Sequence, residues 1–209
     1  HHRYRHSVPA RLSSDLIRTP LREKKPAYLE IACNVASEPC VRPGPVSSLL
    51  SHLKADELSL QVALEESLEL LGKAQNVVIL VGSKLRACEA LDETVALADK
   101  LGCAVTVMAA AKSFFSEAHP GFRGVYWGEV SSPGVEDVIK SADAIISLAP
   151  VWNDYSTVGW RDSVRGARVL EVDPNRVTVG GKTFEGFRLK EFVAALTKKV
   201  SSKPASLAK

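Results

Sequence analysis

The sequence predicts a doubly wound α/β fold built on a mostly parallel sheet. Aliphatic runs such as Val77–Val81 and Ala144–Leu148 alternate with amphipathic helical segments. These runs are apolar throughout, which is typical of strands that are covered on both faces. Two segments rich in aromatic, amide and charged residues follow strands, at Met108–Ser131 and Leu148–Trp160. Because ligands of such sheets meet the loops beyond the carboxyl ends of the strands, we expect both segments to be functional loops.

The first part of the chain is predicted to lie outside this sheet. Leu16–Lys25 has the pattern of a helix end, and Ala27–Cys33 that of a short apolar strand. Three prolines within residues 39–45 remove amide donors and favour an irregular linker. We therefore divide the chain into terminal elements at 1–36, a linker at 37–58, a central α/β domain at 59–200 and a second linker at 201–209. Residues 1–15 contain no hydrophobic signal core and are interpreted as a ragged edge.

The first two helices of the central domain are predicted from apolar residues at helical spacing. Ser59 is placed to cap the first of them, and Gly102 is expected to end the second. The apolar positions are Leu60, Leu64, Leu68 and Leu71 in the first helix and Leu91, Val95 and Ala98 in the second.

The remaining elements complete the alternation. Ala104–Val107 and Val169–Val172 are predicted strands, and Ser131–Pro133 is a predicted helix start. Gly180 and Gly181 indicate a hairpin between strands at 177–179 and 182–184. An apolar stripe from 189 to 200 predicts a terminal helix.

Charge and cysteine patterns exclude several functional classes. The 209 residues carry a net charge of +3, but the basic excess lies at residues 1–25 and 198–209, which leaves an acidic body and no nucleic-acid footprint. The four cysteines lack zinc-site spacing, so no metal site is predicted. No apolar run approaches the roughly 20 residues of a membrane span. A cytoplasmic protein without membrane contact is the expectation.

Four segments together resemble a known family. They are REKKPAYLEIACNVA from Arg22, VILVGSKLRA from Val78, MAAAKSFFSEAHPGFRGVYWGEVS from Met108 and LAPVWNDYSTVGW from Leu148. In this order they resemble the thiamine-diphosphate-dependent pyruvate decarboxylases of the 2-oxo acid decarboxylase family, particularly the bacterial type. The resemblance runs from about residue 16 to 200 and covers the middle of that enzyme.

The resemblance implies a fragment of an enzyme that converts pyruvate to acetaldehyde and CO₂. Thiamine diphosphate and Mg²⁺ would serve the intact enzyme, which is implied to be a homo-oligomer, a dimer or a tetramer. The family's Gly-Asp-Gly segment, its activating glutamate and its His-His pair are missing from the matching part of this chain. We therefore expect no catalytic, cofactor-binding or metal-binding residue here, no cofactor bound to this chain alone and no activity. The helix and strand before residue 36 would close the preceding pyrimidine-binding domain.

Tyr155 is the one residue that the resemblance places near the substrate. It follows Asn153 and Asp154 after the strand that ends at Leu148, and the matching tyrosine in bacterial-type enzymes helps to shape the substrate pocket. A packed interface tyrosine with a satisfied hydroxyl is an equally good interpretation.

An aromatic cluster supplies the interface candidates. Five aromatic residues lie within 114–127, and packing in the resembled enzymes suggests that part of this cluster contacts neighbouring domains or subunits. If the cluster is buried, it would instead cap the edge of the sheet. The interface candidates are Phe114, Phe115, Tyr126 and Trp127.

Two alternatives to pyruvate decarboxylation stay open. The first is an indolepyruvate or other 2-oxo acid decarboxylase. The second is a non-catalytic α/β nucleotide-binding or interaction module, although Gly82 alone stands where a dinucleotide fingerprint has three glycines. A ribose contact is one interpretation of Asp173, and a turn is the simpler one. Lys112 is interpreted as a loop lysine that pairs with solvent or a nearby domain, and pairing with a phosphate or a neighbouring carboxylate is its functional alternative. His119 is interpreted as structural rather than catalytic.

Overall fold

The computed structural model describes residues 16–21, 25–40, 42, 44–45, 55–161, 164 and 168–202. The chain divides into two units, residues 1–54 and residues 55–209. In the first unit, residues 16–21 are helical, as predicted. The predicted strand Ala27–Cys33 is wrong, because the described residues of this unit contain no strand. Tyr28 is 80% exposed, which is consistent with a segment that has no partner strand to pair with.

The second unit contains one seven-stranded sheet with flanking helices. Its helices are α1 (Glu57–Lys73), α2 (Leu91–Leu101), α3 (Val135–Ser141) and α4 (Leu189–Lys199). Its strands are β1 (Val77–Val81), β2 (Ala104–Met108), β3 (Phe122–Tyr126), β4 (Ala144–Leu148), β5 (Arg168–Asp173), β6 (Arg176–Val179) and β7 (Lys182–Glu185).

The sheet has the order β3-β2-β1-β4-β5-β6-β7. The first five strands in this order are parallel, and β6 and β7 are antiparallel. The mostly parallel, doubly wound fold is therefore confirmed. The hairpin is confirmed as well, because Gly180 and Gly181 have φ of +57° and +77°. Two successive positive φ values are those of a type I′ turn, which few residues other than glycine adopt at low cost.

The core lies around the central strands. Every residue of β1 and β4 is buried, and β1 pairs with β2 on one side and with β4 on the other. Helix α4 packs against both α1 and α2, while α3 packs against β3. Each Å² of apolar surface removed from water stabilises the fold by about 25 cal/mol. These covered strands are therefore the main source of stability in the unit.

Three local predictions are corrected by the structure. The cap of α1 is Asp56, whose carboxylate accepts a bond from the Ser59 amide at 3.0 Å, while the Ser59 hydroxyl donates to the Glu185 carbonyl at 2.6 Å. Helix α3 begins at Val135 rather than at residues 131–133. Ser132 instead bonds to β3, because its amide donates to the Val125 carbonyl and its hydroxyl accepts a bond from the Val125 amide. Strand β3 lies inside the segment that was predicted to be a loop.

Strand β3 escaped prediction for a physical reason. It is an edge strand with mixed polarity, and Arg123 and Gly124 interrupt its apolar pattern. Its pairing with β2 shifts register between Val105 and Thr106. Such a strand is specified by its neighbour more than by its own residues. No helix in the described ranges is both long and apolar enough to cross a membrane.

Candidate functional site at the carboxyl edge of the sheet

The two segments that the sequence singles out meet at the carboxyl edge of the sheet. Trp127 follows β3, and residues 149–161 follow β4, although β2 and β1 lie between these two strands. The Trp127 indole Nε1 donates to the Tyr155 carbonyl at 2.6 Å. The two aromatic rings lie with centroids 5.1 Å apart at 49°. The two segments therefore form one joined loop pair, which consists of residues 127–131 and 149–161.

Gly128 allows the two halves of the loop pair to approach closely. A Cβ at this position would lie 3.3 Å from the Val158 side chain and 3.3 Å from the Arg161 carbonyl. Its φ of +52° also favours glycine. The Arg161 guanidinium reaches Glu129 at 3.6 Å, which adds a weak surface ion pair across the same junction.

The backbone after Tyr155 takes an unusual conformation. Val158, Gly159 and Trp160 have φ of +51°, +75° and +65°. A left-handed conformation costs non-glycine residues roughly 1–2 kcal/mol each, so this turn needs support from its surroundings. Positive φ values at Val158 and Trp160 are therefore a sign of a conformation that its surroundings hold in place.

Thr157 supplies that support. Its side chain is buried, and its hydroxyl donates to the Asn153 carbonyl at 2.6 Å and accepts a bond from the Trp160 amide at 2.9 Å. The Gly159 amide donates to the Asp154 carbonyl at 2.7 Å. The loop that carries Tyr155 is thus fixed by internal hydrogen bonds as well as by Trp127.

The crevice between β1 and β4 is closed by the chain itself. A Cβ on Gly82 would lie 2.2 Å from the Ala149 carbonyl oxygen, so the two backbones are in direct contact. The Lys84 amide donates to that same oxygen at 3.2 Å, and the Gly82 amide donates to the Leu148 carbonyl at 2.7 Å. In dinucleotide-binding folds the amides after this strand face the pyrophosphate. Here these two are bonded to backbone, which argues against the nucleotide-binding alternative.

The acid at the end of β5 belongs to a turn. The Asp173 carboxylate accepts a bond from Arg176 Nε at 2.8 Å and lies 3.9 Å from Lys84 Nζ. The hydrogen bond to Asp173 raises the pKa of the Arg176 guanidinium above its usual value. Asp173 therefore pairs with its own hairpin, in agreement with the turn interpretation rather than with a ribose contact.

The aromatic interface candidates separate into two groups. Phe115 and Tyr126 are 2% and 0% exposed within this chain, so they belong to its core and leave no side-chain surface for a partner. This burial removes both from the predicted interface and matches the alternative in which they cap the sheet edge. Phe114 and Trp127 are half-buried, and for them the interface stays a prediction.

Lys112 and His119 have structural partners within the chain. Lys112 Nζ lies 2.7 Å from a Glu117 carboxylate oxygen. The His119 ring contacts Asp99 through Nε2 at 2.9 Å and accepts a bond from the Gly121 amide through Nδ1 at 3.0 Å. For Lys112 this neighbouring carboxylate is the partner named by the functional alternative, not the solvent or nearby domain of the favoured interpretation. The contacts of His119 agree with its structural interpretation.

Tyr155 is placed at the surface of the loop pair. Its side chain is 69% exposed, and its hydroxyl makes no hydrogen bond to any residue that the structure describes. The packed tyrosine of the alternative interpretation would have a satisfied hydroxyl, which this one lacks within the described chain. Its nearness to a substrate stays a prediction.

Sequence reasoning missed the residues that hold Tyr155. Trp127 was considered only as an interface candidate, and Thr157 was not singled out. The available signals were the glycines: Gly128 and Gly159 stand where a close approach and a left-handed turn are needed. Neither glycine indicates which residue lies opposite, because that pairing depends on the positions of β3 and β4 in the sheet.

The described residues do not fit a metal-diphosphate site. Across the ranges that the structure describes, no group of three or more His, Cys, Asp or Glu side chains is close enough to hold a metal ion. Mg²⁺ bound to a diphosphate requires several oxygen ligands in near-octahedral geometry. No step of a cofactor-dependent reaction is therefore derived from this chain.

Comparison with known proteins identifies the relatives of this chain. Residues 64–196 match the family described as "Thiamine pyrophosphate enzyme, central domain". Two probable pyruvate decarboxylases of Schizosaccharomyces pombe are 41% and 43% identical over 94% and 91% of the chain, which is 34% of each relative. Pyruvate decarboxylase 1 of Arabidopsis thaliana is 40% identical over 88% of the chain and 31% of its own length. The chain thus spans about a third of these relatives.

Proposed function

The chain belongs to the central-domain family of thiamine pyrophosphate enzymes, and we propose that it is the middle part of a non-oxidative decarboxylase that converts pyruvate to acetaldehyde and CO₂. The observation that carries this proposal is the extent of the similarity: relatives named pyruvate decarboxylase match nearly the whole chain, including both segments of the loop pair. In the longer protein this unit acts as a spacer, an assembly surface and one wall of the substrate approach.

The cofactor belongs to other parts of the longer protein. Thiamine diphosphate, when bound, supplies the electron sink for loss of CO₂, and Mg²⁺ holds its diphosphate. The described residues offer no set of side chains that could hold the Mg²⁺ ion. We infer that the present unit binds neither thiamine diphosphate nor Mg²⁺ and is inactive alone.

Tyr155 is the residue through which this unit acts on the substrate. Its exposed hydroxyl stands on a loop whose backbone is fixed by Thr157 and Trp127. A phenolic hydroxyl on a fixed loop is suited to orient a carboxylate or carbonyl group by a hydrogen bond. In the full-length enzyme, Tyr155→Phe should raise KM or lower kcat/KM for the 2-oxo acid and leave cofactor affinity unchanged. Unchanged kinetics would contradict this role.

Assembly and location complete the proposal. The full-length protein is a cytoplasmic homo-oligomer, a dimer or a tetramer, and residues up to 36 close its pyrimidine-binding domain. Phe114 and Trp127 contribute to packing against other domains or subunits because both side chains keep exposed surface. Phe114→Ala is expected to weaken assembly more than folding, and equal loss of both would contradict the interface.

The substrate is the least constrained part of the proposal. Indolepyruvate or another 2-oxo acid is the alternative, because groups that set substrate size lie outside this chain. The names of the relatives favour pyruvate. The closed crevice at Gly82 and Ala149 favours neither nucleotide binding nor a separate binding module.

A single assay series tests the proposal. The full reading frame that carries this segment is expressed and supplied with thiamine diphosphate and Mg²⁺, and the release of CO₂ and aldehyde is measured for pyruvate and indolepyruvate. We expect a higher kcat/KM for pyruvate. A higher value for indolepyruvate would select the alternative substrate, and no decarboxylation of either would contradict the proposed enzyme class.

A further inference from the structure

We propose that Trp127 is a positioning residue that holds the Tyr155 ring in its working orientation. This inference rests on the proposed function for the importance of Tyr155, but the contact itself is independent of that function. Trp127 touches Tyr155 twice, through the hydrogen bond from its indole to the Tyr155 carbonyl and through the ring contact at 5.1 Å. Among the residues that the structure describes, no other side chain makes a hydrogen bond or ring contact with the Tyr155 ring, so its direction depends on the indole beside it.

Trp127 is itself held in place from the opposite side. Its amide donates to the Ser131 hydroxyl at 2.8 Å, and that hydroxyl donates to the Gly128 carbonyl at 2.6 Å. A further β-bridge joins Trp127 to Glu129. The indole therefore extends from a short closed turn at the end of β3, which gives it a fixed base from which to hold a neighbouring loop.

The Tyr155 loop needs such an external contact. Its own hydrogen bonds fix the backbone at 157–161. This same stretch, however, contains Val158 and Trp160 in the left-handed conformation. A strained turn returns to ordinary backbone conformations when its supports are lost. The Tyr155 carbonyl lies between this turn and the Trp127 indole, and its only other hydrogen bond within the described part of the chain is a long one from the Val158 amide at 3.4 Å. Trp127 thus connects the turn to β3.

The chain contains a matched control in Trp160. This tryptophan lies on the same loop, is 53% exposed, and its indole makes no hydrogen bond or ring contact with Tyr155. Both Trp127→Phe and Trp160→Phe replace an indole by a phenyl ring, but the first alone removes a hydrogen bond to Tyr155. A difference between the two variants therefore reports on that bond and not on the loss of an indole.

The first test measures the loop without any assay of activity. Amide hydrogen exchange of residues 155–161 is compared in the wild-type chain and in both variants. Because one hydrogen bond is worth roughly 0.5–1.5 kcal/mol, Trp127→Phe should speed exchange there about threefold to tenfold, and Trp160→Phe should leave it unchanged. Equal exchange in wild type and Trp127→Phe would overturn the proposal.

The second test asks whether Trp127 acts through the Tyr155 ring. In the full-length enzyme, Trp127→Phe should lower kcat/KM for the 2-oxo acid by about threefold to tenfold while cofactor affinity is unchanged. In a Tyr155→Ala background the same change should have a much smaller effect, because the ring to be positioned is gone.

The outcomes separate the two proposals. If Tyr155→Phe leaves the kinetics unchanged, the role of Tyr155 fails, while faster exchange in Trp127→Phe still establishes the contact. If Tyr155→Phe changes the kinetics but Trp127→Phe has the same effect with and without the Tyr155 ring, the positioning role is overturned and the role of Tyr155 stands.

Discussion

Strand β4 and the loop that follows it are held by different means. All five residues of β4 are buried, and the strand pairs with β1 and β5 along its length. The loop at 149–161 starts with a left-handed Ala149 and contains three further residues with positive φ. Its conformation depends on side chains such as Thr157 and Trp127. The strand is thus encoded by its own apolar residues, whereas the loop depends both on its own Thr157 and on Trp127, which is distant in sequence.

The junction of strand and loop should give the largest effect. Gly82→Ala places a Cβ 2.2 Å from the Ala149 carbonyl, and two backbones must separate to admit it. We expect a loss of about 3 kcal/mol or more in the free energy of unfolding, or failure to fold. Chemical denaturation followed by circular dichroism measures this loss.

The control for Gly82 is Gly72 in α1. A Cβ there would meet no atom of the described residues within 4 Å. Gly72→Ala should stabilise the helix by roughly 0.5–1 kcal/mol, because alanine is the better helix former. A loss of less than about 1 kcal/mol for Gly82→Ala would mean that the crevice opens easily.

The amino edge of the sheet provides the next prediction. The Asp143 carboxylate accepts bonds from the amides of Gln75 and Asn76 at 2.8 and 2.9 Å. Asp143→Ala should cost about 2 kcal/mol, because two amides lose a charged acceptor. Asp143→Asn keeps one acceptor oxygen and should cost less. The same cost for both variants would show that these bonds contribute little to stability.

The pH dependence of stability sharpens the contrast between core and loop. Burial raises the pKa of the Cys103 thiol from 9.0 to about 12. Because the pKa is raised in the folded state, the stability contribution is fully present below pH 9 and is lost as the pH rises from 9 towards 12. At pH 10 we expect a loss on the order of 1 kcal/mol.

Cys103→Ala isolates this contribution. The difference in unfolding free energy between wild type and variant should be constant below pH 9. Above pH 9 the wild type should lose stability relative to the variant. Exposed Cys33 and Cys40 should react with a thiol reagent in the native protein, and Cys103 only after unfolding. A constant difference up to pH 10 would contradict the burial of this thiol.

The smallest expected effect lies within the loop itself. Thr157→Val keeps the shape of the side chain and removes both bonds of its hydroxyl. We expect a loss of about 1 kcal/mol that is confined to the loop, visible as faster exchange of the Trp160 amide. Thr157→Ser keeps the hydroxyl and should retain most of the protection. If exchange in β4 accelerates equally, strand and loop unfold together and the comparison fails.

The sequence predicted the parts of the fold that local residues specify. The continuous aliphatic run Val77–Val81 and the pair Gly180–Gly181 were sufficient to predict a buried strand and a hairpin. The cap of α1 was misassigned because Asp56 and Ser59 are both good caps, and the choice is made by the contact of Ser59 with the hairpin at Glu185.

The candidate site was predicted only in outline. The positions of both functional segments followed from their composition, but their junction did not. Trp127 meets Tyr155 because β3 lies at the edge of the sheet and β4 lies beyond β1, and sequence patterns do not give strand order. Strand β3 itself was missed because Arg123 and Gly124 interrupt its apolar pattern and its pairing with β2 specifies it.

Thiamine diphosphate binding tests most directly the central claim that this chain is the cofactor-free middle of a thiamine enzyme. Isothermal titration calorimetry in the presence of Mg²⁺ compares the 209-residue chain with the full-length protein. The account predicts saturable binding to the full-length protein and no heat of binding for the chain alone. Binding of equal affinity to the chain alone would contradict it.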